Sequence, residues 1–133
     1  MADEKHVEIR RDVDIVTARQ TGRELAVEAG FTGSDLTLIA TAISEIARNI
    51  VVYADHGEIT LSLAVKNGRN GIVVVAHDEG PGIPDIEQAM QDGFSTGRSL
   101  GLGLPGARRL MDEFEIVSEV GKGTTVTLRK WRP

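Results

Sequence analysis

Apolar and polar residues repeat along this chain with two different periods, which predict strands and helices in turn. The stretch HVEIRR alternates apolar and polar positions, as a half-buried strand does. From Asp12 the spacing becomes three and four, which predicts a helix that stops at Gly30, with Asp12 or Asp14 capping its start. The residues at this helical spacing are Ile15, Ala18, Arg19, Gly22, Leu25, Ala26 and Ala29.

The remainder of the chain continues this alternation. A second helix is predicted from Ser34, the expected N-cap, with a core stripe of Leu36, Ile39, Ile43, Ile46 and Ile50. GEITLSLAVKNGRNGIVVVAHD predicts two strands joined at NGRNG, because Asn-Gly pairs accept the positive φ of tight turns. A short helix with Pro84 near its start, a helix from about Leu104 to Phe114, and the strands EIVSEV and TTVTLRKW complete the series.

This order of elements predicts an α/β fold of two layers. Hairpins imply antiparallel pairing, and separate runs of helix and strand favour helices on one face of a mixed, mostly antiparallel sheet. The pattern contains no repeat or linker, so we expect residues 1–133 to form a single domain.

Composition narrows the possible functions. The absence of cysteine excludes disulfides and thiolate metal sites. A net charge of −5 without a long basic cluster argues against a nucleic-acid partner. The charged N-terminal stretch MADEKHVEIRR lacks the apolar region of a signal peptide, so we expect a cytoplasmic protein without a membrane partner.

Two motifs place polar groups beside apolar segments. In SEIARN, Glu45 and Asn49 are four residues apart and share one helix face, where they could hold a metal ion, accept a proton or form an ordinary surface pair. In HDEGPGIPD, Asp78 ends an apolar strand, followed by Gly80 and Gly82. This arrangement fits a carboxylate that accepts from a flat ligand, and equally a local turn.

Two further motifs are rich in glycine. In TGRSLGLGLPG, Gly101 and Gly103 precede a helix with Pro105 in its first turn, and free amides at a helix start favour an anion. The alternative is a surface loop before an ordinary helix. In GKGTTVTL, Thr124 or Thr125 places a hydroxyl in a pocket, or both are ordinary strand residues.

The four motifs taken in order, SEIARN, DEGPG, SLGLGLPG and GKGTTVTL, resemble the GHKL superfamily of ATP-binding domains (the Bergerat fold). The resemblance covers nearly the whole chain. TAISEIARNI, DEGPGIPDI, GFSTG and LGLGLPGARRLMDEFEI are most similar to the serine/threonine kinases of bacterial stress-signalling complexes, the stressosomes.

This resemblance implies roles for individual residues. Asp78 would accept from the adenine amino group beside Gly80 and Gly82, and Thr125, or less surely Thr124, would assist through water. Asn49 would ligate Mg²⁺, and Glu45 would be the general base. The phosphates would be cradled beneath a lid from about Gly93 to Leu100 by the amides around Gly101, Leu102, Gly103 and Leu104.

The resemblance also implies an activity and partners. The expected activity is an ATP- and Mg²⁺-dependent protein serine/threonine kinase whose substrates are STAS-domain proteins of a stressosome. Phosphorylation would release the kinase to a second partner such as a PP2C-type phosphatase. One alternative is an anti-sigma factor with kinase activity that sequesters a sigma subunit, and another is a nucleotide-gated adaptor. Arg98 would contact either a phosphate or a partner, and Arg108 and Arg109 would face either an acidic partner or, as is more usual for helix charges, solvent.

Overall fold

The computed structural model of the chain describes residues 4–90 and 103–133. Within these residues the helices are α1 (Asp12–Ala29), α2 (Ser34–Asn49), α3 (Ile86–Ala89) and α4 (Gly103–Leu110), and a π-helical turn, Ile50–Ala54, extends α2. The strands are β1 (Lys5–Ile9), β2 (Gly57–Lys66), β3 (Arg69–Asp78), β4 (Glu113–Glu119) and β5 (Gly123–Trp131). The predicted α/β architecture is confirmed.

The five described strands form one sheet in the order β1-β2-β3-β5-β4, and each neighbouring pair is antiparallel. The helices pack on one face of the sheet, so alternate strand residues enter the core. These buried strand residues are Val7, Ile9, Ile59, Leu61, Ile72, Val74, Ala76, Val126 and Leu128. We call the other side the open face, because no described helix covers it.

Helix α1 begins and ends where its sequence predicts. The carboxylate of Asp14 accepts the backbone amides of Arg10 (2.9 Å) and Arg11 (3.0 Å), which are free donors at a helix start. The bond from Arg10, and next that from Arg11, hold the pKa of Asp14 below its ordinary value. At the other end, Gly30 has φ of 98° and closes the helix with its amide.

Helix α2 and its π-helical turn cross the centre of the core. Ile39, Ile43 and Ile46 are almost inaccessible to solvent, as the helical stripe predicts. The helix begins at Ser34, with Gly33 rather than Ser34 at the N-cap. The segment Ser34–Ala54 is long and apolar enough to span a membrane by length and composition alone, yet its apolar stripe is buried against the sheet and the other helices.

The predicted helix from about Leu104 to Phe114 is wrong at its C-terminal end. Helix α4 ends at Leu110, and Phe114 lies in β4. Phe114 and Ile116 alternate along that strand and pack against the core, so their period of two outweighs the helical spacing before them.

Candidate functional site

Asp78, the last residue of β3, carries the most informative carboxylate of the site. Its inward position follows from alternation with Ala76, and the residue is only 6% exposed. Oδ1 accepts the amide of Gly80 (2.9 Å) and the amide of Thr124 (3.3 Å). Among the described residues no donor reaches Oδ2. Every fully buried side-chain oxygen of the described residues has a hydrogen-bond partner, so Oδ2, which has none, retains some accessible surface. Oδ2 is therefore open to a ligand donor.

The backbone around Asp78 passes close to neighbouring segments, and this requires glycine. A Cβ on Gly80 would lie 2.7 Å from the Cβ of Ala54, in the π-helical turn after α2. Gly82 has φ of 79°, and a Cβ there would overlap the carbonyl of Glu119 in β4. The predicted glycines thus bring the loop after β3 against the π-helical turn on one side and against the β4–β5 hairpin on the other.

The two neighbouring threonines of β5 lie on opposite faces of the sheet. Thr124 pairs with Asp78, faces the helices and is 5% exposed. Thr125 pairs with His77 on the open face, where its hydroxyl lies 2.8 Å from His77 Nδ1. The assignment preferred from the sequence, Thr125, is not brought to Asp78. Thr124, the less favoured alternative, lies beside Asp78.

Ser118 of β4 completes this arrangement and was missed by the sequence analysis. It pairs with Thr124 across the strands, and the two hydroxyl oxygens are 2.7 Å apart. Asp78, Thr124 and Ser118 therefore lie side by side on the same face of three neighbouring strands, and we call them the polar rung. The clue in the sequence is a serine at the inward position that follows Phe114 and Ile116.

Glu45 lies on α2 in the core and is 6% exposed. Its Oε2 accepts from Arg48 Nη1 at 2.9 Å, and its Oε1 accepts the amide of Gly103 at 3.0 Å. Gly103 is the first residue of α4. The first and third motifs therefore meet directly, because the carboxylate of α2 binds a free amide at the start of α4.

Asn49 is the last residue of α2, one turn after Glu45, and is half-buried. Within residues 4–90 and 103–133 no group of three acidic, histidine or cysteine residues is arranged to hold a metal ion. One amide oxygen beside phosphates is sufficient for Mg²⁺, which keeps several water ligands.

The predicted phosphate cradle is described only in part. Gly103 and Leu104 begin α4, and Leu104 and Pro105 are buried. Gly101, Leu102, Arg98 and the predicted lid from about Gly93 to Leu100 lie outside the described residues. Arg108 and Arg109 lie on the exposed side of α4, in its last turn.

The π-helical turn connects the two halves of the site. It follows Asn49 directly, and its Ala54 packs against Gly80. The π-helical turn thus links two groups of polar residues: Asp78 with Thr124 on one side, and Glu45 with Asn49 on the other. An anionic group would bind beside Glu45 only with a cation next to Asn49 or with amides from the start of α4.

Three comparisons with known proteins agree with this geometry. The family model described as "Histidine kinase-like ATPase domain" matches residues 10–130. Over 131 residues the chain is 50% identical to "Serine/threonine-protein kinase RsbT" of Bacillus subtilis (strain 168), covering 98% of each protein. It is 35% identical over 138 residues to "Anti-sigma F factor" of Geobacillus stearothermophilus, covering 98% of this chain and 93% of that one.

A solved structure is similar as well. The crystal structure of the RsbU and RsbW domains of a Mycobacterium tuberculosis protein matches with a TM-score of 0.64 and 26% identity. The match covers 98% of this chain and 33% of that one, so this chain spans about a third of that protein's length.

Proposed function

The chain belongs to the histidine kinase-like ATPase domain family, and we infer that it transfers the γ-phosphoryl group of ATP to a serine or threonine of a partner protein. The resemblance first carried by four short motifs is confirmed. The kinase assignment rests on 50% identity along almost the full length of a serine/threonine-protein kinase. We take residues 1–133 as one ATP-binding domain.

The polar rung would hold the adenine. Asp78 Oδ2 would accept the amino group of the base, because Oδ1 is already engaged by two backbone amides. Thr124, rather than Thr125, would contribute its hydroxyl through water, since only Thr124 shares the face of Asp78. Gly80 and Gly82 let the loop after Asp78 pack closely against Ala54 and Glu119, and this packing would set the position of the loop beside the base.

The opposite end would hold the phosphates. Asn49 would ligate Mg²⁺, and the amides from Gly101 to Leu104 would donate to phosphate oxygens at the start of α4. When bound, Mg²⁺ would supply positive charge that offsets the charge of the phosphates. The amide of Gly103 donates to Glu45 in this structure, and it would have to turn from Glu45 to donate to a phosphate oxygen.

Glu45 would act as the general base. The acceptor hydroxyl oxygen attacks the γ-phosphorus, the bond to ADP breaks, and the carboxylate takes the hydroxyl proton. Arg48 orients the carboxylate through Oε2. A carboxylate offers about four lone-pair positions, so two existing hydrogen bonds leave room for the hydroxyl.

The proposed partners follow the relatives. We place the chain in the cytoplasm, with STAS-domain proteins of a stressosome as substrates and a PP2C-type phosphatase as a second partner. Similarity to RsbT and to a structure that contains an RsbW domain supports this placement.

Burial of Glu45 between Arg48 and Gly103 is the observation that carries the catalytic proposal, and Glu45→Gln tests it. Glutamine keeps one acceptor oxygen for Gly103 or for Arg48 but loses the other hydrogen bond, and its amide takes no proton at neutral pH. We expect ATP affinity within a few-fold of wild type, and phosphate transfer to a STAS partner lowered by roughly 10²–10⁴-fold.

The matched control is Glu24→Gln, which removes one exposed charge from α1. Transfer by this variant should equal that of the wild type. Absence of transfer by the wild-type protein with bound ATP would contradict the kinase proposal. Full transfer by Glu45→Gln would contradict only the assignment of the base.

The anti-sigma alternative is favoured by 35% identity to an anti-sigma F factor. Kinase activity does not separate the two functions, because the alternative is itself an anti-sigma factor with kinase activity. Co-precipitation with purified sigma subunits does. Retention of a sigma subunit would establish the alternative, whereas retention of a STAS scaffold alone would support the main proposal.

A further inference from the structure

We propose that Arg48 offsets the negative charge of Glu45 and thereby allows the phosphate end of ATP to bind beside a buried carboxylate. This inference rests on the proposed ATP site, and it goes beyond the orientation of the base because it concerns the affinity for nucleotide. Arg48 is the third residue after Glu45 on α2, and it directly precedes Asn49.

Glu45 brings a negative charge to the end of the site that is proposed to hold phosphates. Its side chain is only 7% exposed, so water and salt screen this charge poorly. The proposed reaction requires the acceptor hydroxyl to lie within hydrogen-bond reach of Glu45 and next to the γ-phosphorus. The γ-phosphorus would therefore lie within about 6 Å of the carboxylate, a distance at which like charges repel appreciably.

Arg48 is the cation that pairs with this carboxylate. Its Nη1 donates to Glu45 Oε2 at 2.9 Å, whereas Oε1 accepts only a neutral amide, that of Gly103. Within residues 4–90 and 103–133 Glu45 forms no other ion pair. Arg108 and Arg109 lie in the last turn of α4, at the opposite end from Gly103. Among the described residues, the charge of Glu45 is therefore balanced by Arg48.

The two side chains of this pair differ in exposure, and this decides what the loss of Arg48 does. The Arg48 side chain is 36% exposed and reaches solvent, whereas Glu45 stays in the core. Two exposed partners would contribute little to each other. Removal of Arg48 instead leaves a buried carboxylate without its counter-charge, and an approaching phosphate then meets an uncompensated negative charge.

Arg48→Met removes the charge and keeps much of the length of the side chain. We expect ATP affinity to fall roughly 5- to 30-fold, the size of one unit charge close to a partly screened site. ADP lacks the phosphate nearest to Glu45, so its affinity should fall less, by about two- to five-fold. Arg48→Lys keeps the charge, and its ATP affinity should stay within about three-fold of wild type.

The deciding variant is the double substitution Arg48→Met with Glu45→Gln, which removes both charges together. We expect its ATP affinity to return to within about three-fold of wild type, because no carboxylate is left to repel the phosphates. Titration calorimetry with ATP and with ADP, at one fixed Mg²⁺ concentration, measures all the affinities. Arg23→Met is the matched control, since it removes one exposed positive charge from α1 and should bind both nucleotides as the wild type does.

A double variant as weak as Arg48→Met overturns the inference, because Arg48 would then act through a contact of its own. Equal losses for ATP and ADP in Arg48→Met, or a full loss in Arg48→Lys, also overturn it. If Arg48→Met does not fold, the double variant carries the test, since it leaves no buried charge unpaired. Absence of ATP binding by the wild-type protein would instead contradict the proposed function.

Discussion

Two neighbouring residue pairs of β3 and β5, one on each face of the sheet, differ in how their polar groups are bonded. On the helix-covered face, the polar rung brings Asp78 and Thr124 together through backbone contacts, because the Thr124 amide donates to the carboxylate. On the open face, the next residues along, His77 and Thr125, bond each other side chain to side chain. The first pair leaves one carboxylate oxygen without a donor among the described residues, whereas the polar groups of the second pair bond to each other.

Other polar side chains of the open face also bond to one another. Glu113 accepts from Lys66 (2.9 Å) and from the Trp131 ring nitrogen (2.7 Å), and it pairs with Arg129 (3.4 Å). Lys66 also lies 5.5 Å from the centre of the Trp131 ring. A carboxylate with three internal partners stabilises the sheet. Asp78 is held only by backbone amides on a single oxygen, which leaves its other oxygen available for the proposed contact with adenine.

The largest expected effect comes from Asp78→Asn. Two amides require an acceptor at the Oδ1 position, so asparagine must place its oxygen there and turn its NH₂ toward the ligand. This NH₂ would face the amino group of adenine, donor against donor. We expect ATP affinity to fall by roughly 100- to 1,000-fold, measured by titration calorimetry, with little change in the unfolding midpoint.

Glu79→Gln is the control, since it removes one charge from the adjacent exposed position. Wild-type ATP affinity in Asp78→Asn would refute the role of Asp78. An equal loss in both variants would show that net charge, and not the direction of hydrogen bonds, governs binding.

A smaller effect is expected when the register of the polar rung is disturbed by Gly123→Ala. Gly123 has φ of 120°, and a Cβ there would overlap the carbonyl oxygen of Asp78 and lie 2.7 Å from Glu79 Cα. We expect the free energy of unfolding, measured by chemical denaturation, to fall by about 2–4 kcal/mol. Gly121→Ala is the matched control, with φ of 82° and open space around it. Equal losses in the two variants would contradict the proposed close approach.

The sequence allows the elements to be predicted because each carries its own periodicity. Helix α1 shows its stripe, its acidic start and its terminal Gly30, and the β2–β3 hairpin shows its strands and the Asn67–Gly68 turn with φ of 53° and 77°. The limits of α4 could not be predicted in this way. Its last apolar residues run into the alternating pattern of β4, and only pairing with β5 decides between the two periods.

The sequence likewise does not decide which of Thr124 and Thr125 lies on the same face of the sheet as Asp78. GKGTTVTL places two threonines together, and strand geometry sends one to each face without saying which. The choice is made by the pairing of Thr124 with Asp78, which are 46 residues apart in the chain. Ser118 was missed for the same reason, since its partners Ile83 and Thr124 belong to other segments.

A direct test of this choice compares Thr124→Val with Thr125→Val. Valine keeps the shape of threonine and removes the hydroxyl. We expect the Thr124 variant to bind ATP roughly 3- to 10-fold more weakly, and the Thr125 variant to bind it as the wild type does, in the same fluorescence titration. The reverse result would restore Thr125 as the nucleotide-binding threonine and contradict the use of the two faces described here.

The smallest effect is a difference in how the two faces respond to acid, tested with Glu113→Gln. The hydrogen bond from Lys66, and next that from Trp131, hold the pKa of Glu113 below its ordinary value of 4.5. A lowered pKa contributes stability that is complete above the ordinary value and is lost as the pH falls through the lowered one. The denaturation midpoint of the wild type should therefore fall more steeply below pH 4.5 than that of Glu113→Gln, while ATP affinity at pH 7 is the same in both. Parallel acid profiles would show that the open-face carboxylate adds no pH-dependent stability, and weaker ATP binding by Glu113→Gln would show that the two faces are coupled.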